Sequence, residues 1–174
     1  MIKSKFTVLF SIFVWQLNNS LCGTWGLMEN IFTDEYFMKK ALQEAEMAFD
    51  KGEIPVGAVI VVNNTVIARS HNLTELLNDV TAHAEMQAIT AAANFLGGKY
   101  LKECTLYVTV EPCQMCAGAL YWSQITKIVY GATDEHRGYM KMGTQLHPKT
   151  VVVRGVMANE ASDLMKRFFA ERRK

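Results

Sequence analysis

The chain has 174 residues, half of them hydrophobic and a fifth charged, with a formal net charge of +1. That length suits one domain built around one core, and the composition is ordinary for a globular enzyme. A balance of +1 excludes a broadly basic nucleic-acid binder, so any RNA-binding surface has to be a local patch.

The first 27 residues stand apart. Lys3 and Lys5 precede an apolar run over residues 6–15, and Ser20-Leu21-Cys22 follows. The layout is that of a secretory signal with a small-residue cleavage site, and the run is too short to span a membrane. A start placed too early, with Met28 the true initiator, explains the same segment, as does an extension without a fold of its own. We read residues 1–27 as a signal-like or misplaced extension and expect one folded domain over residues 28–174.

Thr33 can cap a helix, with Asp34 and Glu35 in its first turn. Phe37, Met38, Ala41, Leu42, Ala45, Ala48 and Phe49 then recur at helical spacing until Gly52 stops the run. The apolar stretch 55–62 reads as a buried strand. Asn63-Asn64 is a tight-turn signal, and a second strand starting over residues 65–68 pairs back on the first. Residues 72–80 are polar and loop-like. A second helix is expected to open at Thr81 or Ala82 and run to about Leu96, with Ala84, Ala88, Ile89, Ala92 and Phe95 inward and Gly97-Gly98 as its end.

Residues 105–110 form a third strand, broken at Glu111-Pro112 because proline cannot donate to a ladder. A short helix over about 113–122 follows, with Pro112 at or near its first position. Strands at 127–130 and 151–153 come next. The last helix starts near Asn159 and is expected to turn Leu164, Met165, Phe168 and Phe169 inward. Its acidic start (Glu160, Asp163) and basic end (Arg172, Arg173, Lys174) suit the helix dipole. The order α-β-β-α-β-α-β-β-α suggests a three-layer α/β/α sandwich around a five-stranded mixed sheet.

The chemistry is concentrated in His83-Ala84-Glu85 and Pro112-Cys113-Gln114-Met115-Cys116. Of four cysteines, Cys22, Cys104, Cys113 and Cys116, the last two form a Cys-x-x-Cys. In a cytosolic enzyme that pattern reads as metal or redox rather than as a disulfide framework. One imidazole and two thiolates can hold a Zn²⁺ and leave the fourth position for water. Glu85 is then free to shuttle protons. The competing reading is a structural zinc closed by a fourth ligand, which would have to be Glu85, Cys104 or a remote histidine.

The pattern His-x-Glu…Pro-Cys-x-x-Cys is that of the zinc-dependent nucleobase deaminases. The resemblance sharpens over Gly52-Glu53-Ile54-Pro55-Val56-Gly57-Ala58-Val59, Thr81-Ala82-His83-Ala84-Glu85, residues 105–119 and Tyr130-Gly131-Ala132-Thr133-Asp134. Over residues 33–173 the chain resembles the bacterial tRNA-specific adenosine deaminases of the cytidine/deoxycytidylate deaminase superfamily. The resemblance implies a cytidine deaminase-like fold, one Zn²⁺ per subunit on His83, Cys113 and Cys116, and Glu85 as the catalytic proton shuttle. It implies hydrolysis of adenosine to inosine at the wobble position of a tRNA, so the expected partner is the anticodon arm. It further implies a homodimer whose sites are completed by the neighbouring subunit, with Asn72, Asp134, Phe168 and Phe169 near the substrate.

Two departures bear on substrate. Val80 replaces the family's usual proline before Thr-Ala-His, and Tyr121-Trp122 is similar to the related guanine deaminases. The alternative is therefore a small-molecule deaminase of guanine, cytosine or cytidine. A non-catalytic RNA-binding subunit is a third reading, against which Glu85 argues. A reduced zinc–thiolate site suits a cytoplasmic protein without membrane association.

Overall fold

The computed structural model of the chain describes residues 31–173. The expectations for residues 1–27, Cys22 among them, lie outside the described residues.

Helix α1, Asp34–Asp50, starts where Thr33 Oγ1 accepts the Tyr36 N–H at 3.2 Å. Strand β1, Gly57–Val62, lies directly under α1. A Cβ at Gly57 would collide with the backbone at Ala41 and Ala45, so only glycine allows this approach. Asn63 and Asn64, both with positive φ, turn the chain into β2, Thr65–His71. The strand runs three residues beyond its apolar start because Arg69, Ser70 and His71 pair with Val59, Ala58 and Gly57 of β1.

Helix α2, Ala84–Leu96, precedes β3, Thr105–Val110; helix α3, Gln114–Ser123, precedes β4, Lys127–Ala132; β5, Val151–Arg154, leads to α4, Ala158–Arg172. The sheet order is β2-β1-β3-β4-β5, with β1 antiparallel to both neighbours and β3, β4 and β5 parallel. The expected five-stranded mixed sheet and the element order are both present.

Period-two alternation divides the sheet between two cores. Ala58, Ile60, Leu106, Val108, Ile128 and Tyr130 point toward Ala84, Ala88, Ala92, Ala117 and Leu120 of α2 and α3. Val59, Val61, Tyr107 and Val129 point the other way, toward Phe37, Met38 and Ala41 of α1. Helix α4 joins α1 on that second side, where Phe168 meets Phe49 edge-on at 5.8 Å. Burying both faces explains why these strands read as near-continuous apolar runs.

Some details differ from expectation. Helix α2 opens at Ala84, two or three residues late, with His83 extended as its N-cap. Phe95 is 66% exposed and Phe169 41% exposed, so neither lies in the core. Pro112 precedes α3 rather than opening it, and Cys113 is the N-cap. The cause is local: Tyr139 N–H donates to Pro112 O at 2.9 Å and Cys113 bridges Gly138, which holds residues 112–113 extended.

Candidate active site

The sheet places two helix starts side by side at one end of the α2–α3 layer. His83 and Cys113 are their N-caps, and Cys116 lies in the first turn of α3. His83 Nδ1 lies 3.6 Å from Cys113 Sγ and 3.5 Å from Cys116 Sγ. The three donor atoms fall within 4.8 Å of one another and form a group that could hold a metal ion. His83 is 30 and 33 residues from the two cysteines in sequence, and the packing of α2 against α3 brings them together.

Glu85 sits one residue into α2, 3% exposed, beside the Cys116 sulfur. Burial pushes its carboxyl up to about 7. The two sulfurs share a proton unequally. The Cys116 thiol donates to Cys113, and with His83 it holds Cys113 down at about 4 despite burial. The same hydrogen bond, with burial behind it, pushes Cys116 upward. His83 is raised, chiefly by its bond to Cys113. These opposed shifts come from three donor groups crowded on one shared centre.

Asn72 follows the last residue of β2 and is buried. Its Oδ1 accepts the Ala84 N–H at 3.0 Å, and Ser70 Oγ donates to Ala84 O at 2.7 Å. The end of β2 is thereby locked to the start of α2, which is why that helix begins where it does. With Oδ1 engaged, the amide N–H groups are the part of Asn72 left to face a ligand.

Asp134 lies beyond β4, and its Oδ1 accepts the N–H groups of His136 and Arg137, both at 2.9 Å. It therefore shapes its own turn. Phe168 is buried against Phe49, while its neighbour Phe169 presents its ring to solvent. These two rings sit on α4, the helix of the α1 side of the sheet.

Sequence reasoning treated Glu111 only as a strand breaker. Its buried carboxylate accepts the Asp134 N–H at 3.2 Å and the Met140 N–H at 3.1 Å. A side chain at Gly138 would run into Glu111 and the Asp134 carbonyl, so the loop closes on the carboxylate only with glycine there. Glu111 thus fastens residues 134–140 beside Cys113. A buried polar residue adjoining the Pro-Cys pair was the available signal. Glu53 was missed in the same way: its buried carboxylate takes the N–H groups of Glu75 and Leu76 and the Thr74 hydroxyl, fixing the loop that follows Asn72.

An open cavity of about 490 Å³ adjoins the three-donor group, lined by Cys113, Gln114, Met115, Arg137 and Met142. This is within the size range of small-ligand sites.

The MafB19-like deaminase family model matches residues 32–173. The tRNA-specific adenosine deaminase of Bacillus subtilis (strain 168) is 44% identical over 147 residues, covering 81% of this chain and 91% of its own length. The chain belongs to the family of tRNA-specific adenosine deaminases. Among solved structures, one from a study of A-to-I editing by tRNA:A34 deaminases at the wobble position of transfer RNA is 41% identical. It has a TM-score of 0.70 and covers 74% of this chain and 98% of its own. The guanine deaminase of Bacillus subtilis is 39% identical with a TM-score of 0.55, covering 63% of this chain and 67% of its own. The family match spans both helix starts that carry the donor group. Among the described residues no helix is long and apolar enough to cross a membrane.

Proposed function

We propose that the chain is a hydrolytic, zinc-dependent deaminase that converts adenosine to inosine at the wobble position of a tRNA anticodon. The observation that carries this reading is the open three-donor group of His83, Cys113 and Cys116 with Glu85 buried against it, in a chain of this family. A tetrahedral ion with Zn–S about 2.3 Å and Zn–N about 2.0 Å separates its nitrogen and sulfur ligands by about 3.5 Å. The spacings of 3.6 and 3.5 Å fit that ion. His83, Cys113 and Cys116 would hold it, one per chain, and Zn²⁺ supplies there a water made acidic enough to attack at neutral pH.

The remaining work falls to the chain's own groups. Glu85 takes a proton from the attacking water and returns it to the departing amino group, so adenosine and water give inosine and ammonia. Its burial against the donor group places it to both accept and donate a proton there. Asn72 turns its amide N–H groups to the acceptor edge of the base, and the bond to Ala84 fixes that orientation. Asp134 and the exposed ring of Phe169 lie on elements that can border the rest of the nucleotide, while Phe168 backs Phe169 from the core.

We assign the deaminase domain to residues 28–174, supported by the family match over 32–173, and the cytoplasm as its place, where thiolate ligands stay reduced. The functional unit we infer is a homodimer. Exposed Phe95, Leu96, Tyr100 and Trp122 on the α2–α3 side form a surface a second copy could cover. Light scattering showing only a 19.6 kDa monomer at micromolar concentration would remove that part.

The likeness to a guanine deaminase keeps one second reading, a small-molecule base deaminase. Incubating the protein with tRNA, adenosine, cytidine and guanine, and measuring inosine and ammonia, separates the two. Inosine in tRNA supports the first reading; rapid turnover of a free base with none in tRNA supports the second.

A further inference from the structure

We propose that Arg137 is a specificity residue that grips a backbone phosphate of the RNA beside the target adenosine. The proposal rests on the tRNA reading above and adds a residue to it.

Arg137 lines the 490 Å³ cavity together with Cys113, Gln114 and Met115, so a nucleotide occupying that space passes it. Its backbone is held: the Arg137 N–H goes to Asp134 Oδ1, Gly138 N–H to Asp134 O, and Gly138 bridges Cys113. Glu111 fastens both flanks of this turn from below, at Asp134 and Met140. The side chain, by contrast, is exposed, and among the described residues it has no ion pair and no hydrogen bond.

Three other arginines are committed to the fold. Arg69 is paired with Glu44, Arg167 lies over Phe49, and Arg172 is bound to the Gly52 carbonyl. Arg137 is therefore a fork of donors on a held turn, lining the cavity and uncommitted to the fold. Among the described residues no ion pair joins Asp134 to Arg137, which leaves the guanidinium to an outside anion. A planar guanidinium suits a phosphate through two parallel N–H bonds. With a net charge of only +1, phosphate affinity has to come from single placed cations of this kind.

The test compares wild type with Arg137→Gln and Arg137→Lys on an anticodon stem-loop RNA, on adenosine and on 5′-AMP. Zinc content and melting temperature of each variant confirm the fold. Arg137→Gln should lower the ratio of kcat/KM for stem-loop over adenosine about ten-fold, the loss of one charge-assisted bond. It should also flatten the log–log salt dependence of stem-loop binding by about 0.7, one contact on a single strand. Arg137→Lys should restore the slope, since it keeps the charge. An unchanged slope and ratio would overturn the proposal, and so would an equal loss on stem-loop and adenosine. A loss confined to 5′-AMP would assign the residue to a free nucleotide and overturn the RNA contact. Wild-type protein that forms no inosine in the stem-loop would refute the tRNA reading itself, a result distinct from active wild type with an indifferent Arg137→Gln.

Discussion

Asn72 and Ala84 are joined by a hydrogen bond of 3.0 Å from the Ala84 N–H to the Asn72 side-chain oxygen. One amide therefore has two jobs in our proposal: it caps the helix that starts beside His83, and its own N–H groups are assigned to the base. Asn72→Ala should lose both. Stability should fall by about 1–2 kcal/mol for a lost cap and an orphaned buried donor, or roughly 2–8 °C in Tm. Turnover should fall with it. Asn72→Asp keeps an acceptor for Ala84 but no amide donor, so its Tm should lie above that of Asn72→Ala while its activity stays low. Full activity in Asn72→Asp would show that the amide donor plays no part.

Metal and proton roles should separate by substitution. Cys113→Ala and Cys116→Ala should lose zinc and activity together, measured by metal analysis and inosine formation. Glu85→Gln should keep one zinc per chain and lose about 10²–10⁴-fold in kcat, the usual worth of a positioned proton carrier. Loss of zinc from Glu85→Gln would make the carboxylate a ligand and close the site.

The metal group was legible because its residue types and short spacings are local: His-x-Glu and Pro-Cys-x-x-Cys sit at element boundaries that composition marks. The strand faces were legible for the same reason, since alternation is written in adjacent residues. The carboxylates were not. Glu44 is buried on α1 only because Arg69 and His71 arrive from β2, at 2.7 and 2.9 Å. Glu111 and Glu53 are buried because distant loops fold onto them. A charged residue whose partners lie 20 or more positions away reads from sequence as a solvated one. Phe95 misled in the opposite direction: its helical spacing implied a core, yet its place near the end of α2 leaves it uncovered.

Glu44 and Glu53 set the acid limit of the fold. Burial would raise Glu44, but its hydrogen bonds to His71 and Arg69 win and hold it below its ordinary 4.5. Burial likewise opposes Glu53, and the N–H groups of Leu76 and Glu75 outweigh it. In both cases the unfolded chain takes up a proton at higher pH than the folded chain does. The stability they contribute is therefore present above about pH 4.5 and is lost as pH falls through the folded-state values. Melting temperature should drop steeply below pH 4.5. Glu53→Gln should be less stable at pH 7 and show a shallower decline on acidification. An unchanged acid slope in Glu53→Gln would remove that carboxylate from the account.

The basic residues of α4 do not act as one patch. Arg172 donates to the Gly52 carbonyl and stacks over Phe168 at 4.9 Å, and Lys166 pairs with Asp163 at 3.2 Å. Arg173, the C-cap, is exposed and appears in none of the ion pairs among the described residues. Arg172→Ala should lower the Tm by loosening α4 from the turn after α1, with little change in the salt slope of tRNA binding. Arg173→Ala should leave the Tm in place and, if this end of the molecule meets the RNA backbone, flatten the slope by roughly one unit. Melting curves and binding at three or more salt concentrations decide both. A slope change in Arg172→Ala without a stability loss would mean that its bond to Gly52 yields to phosphate, and the helix end would then be a binding surface rather than a clamp.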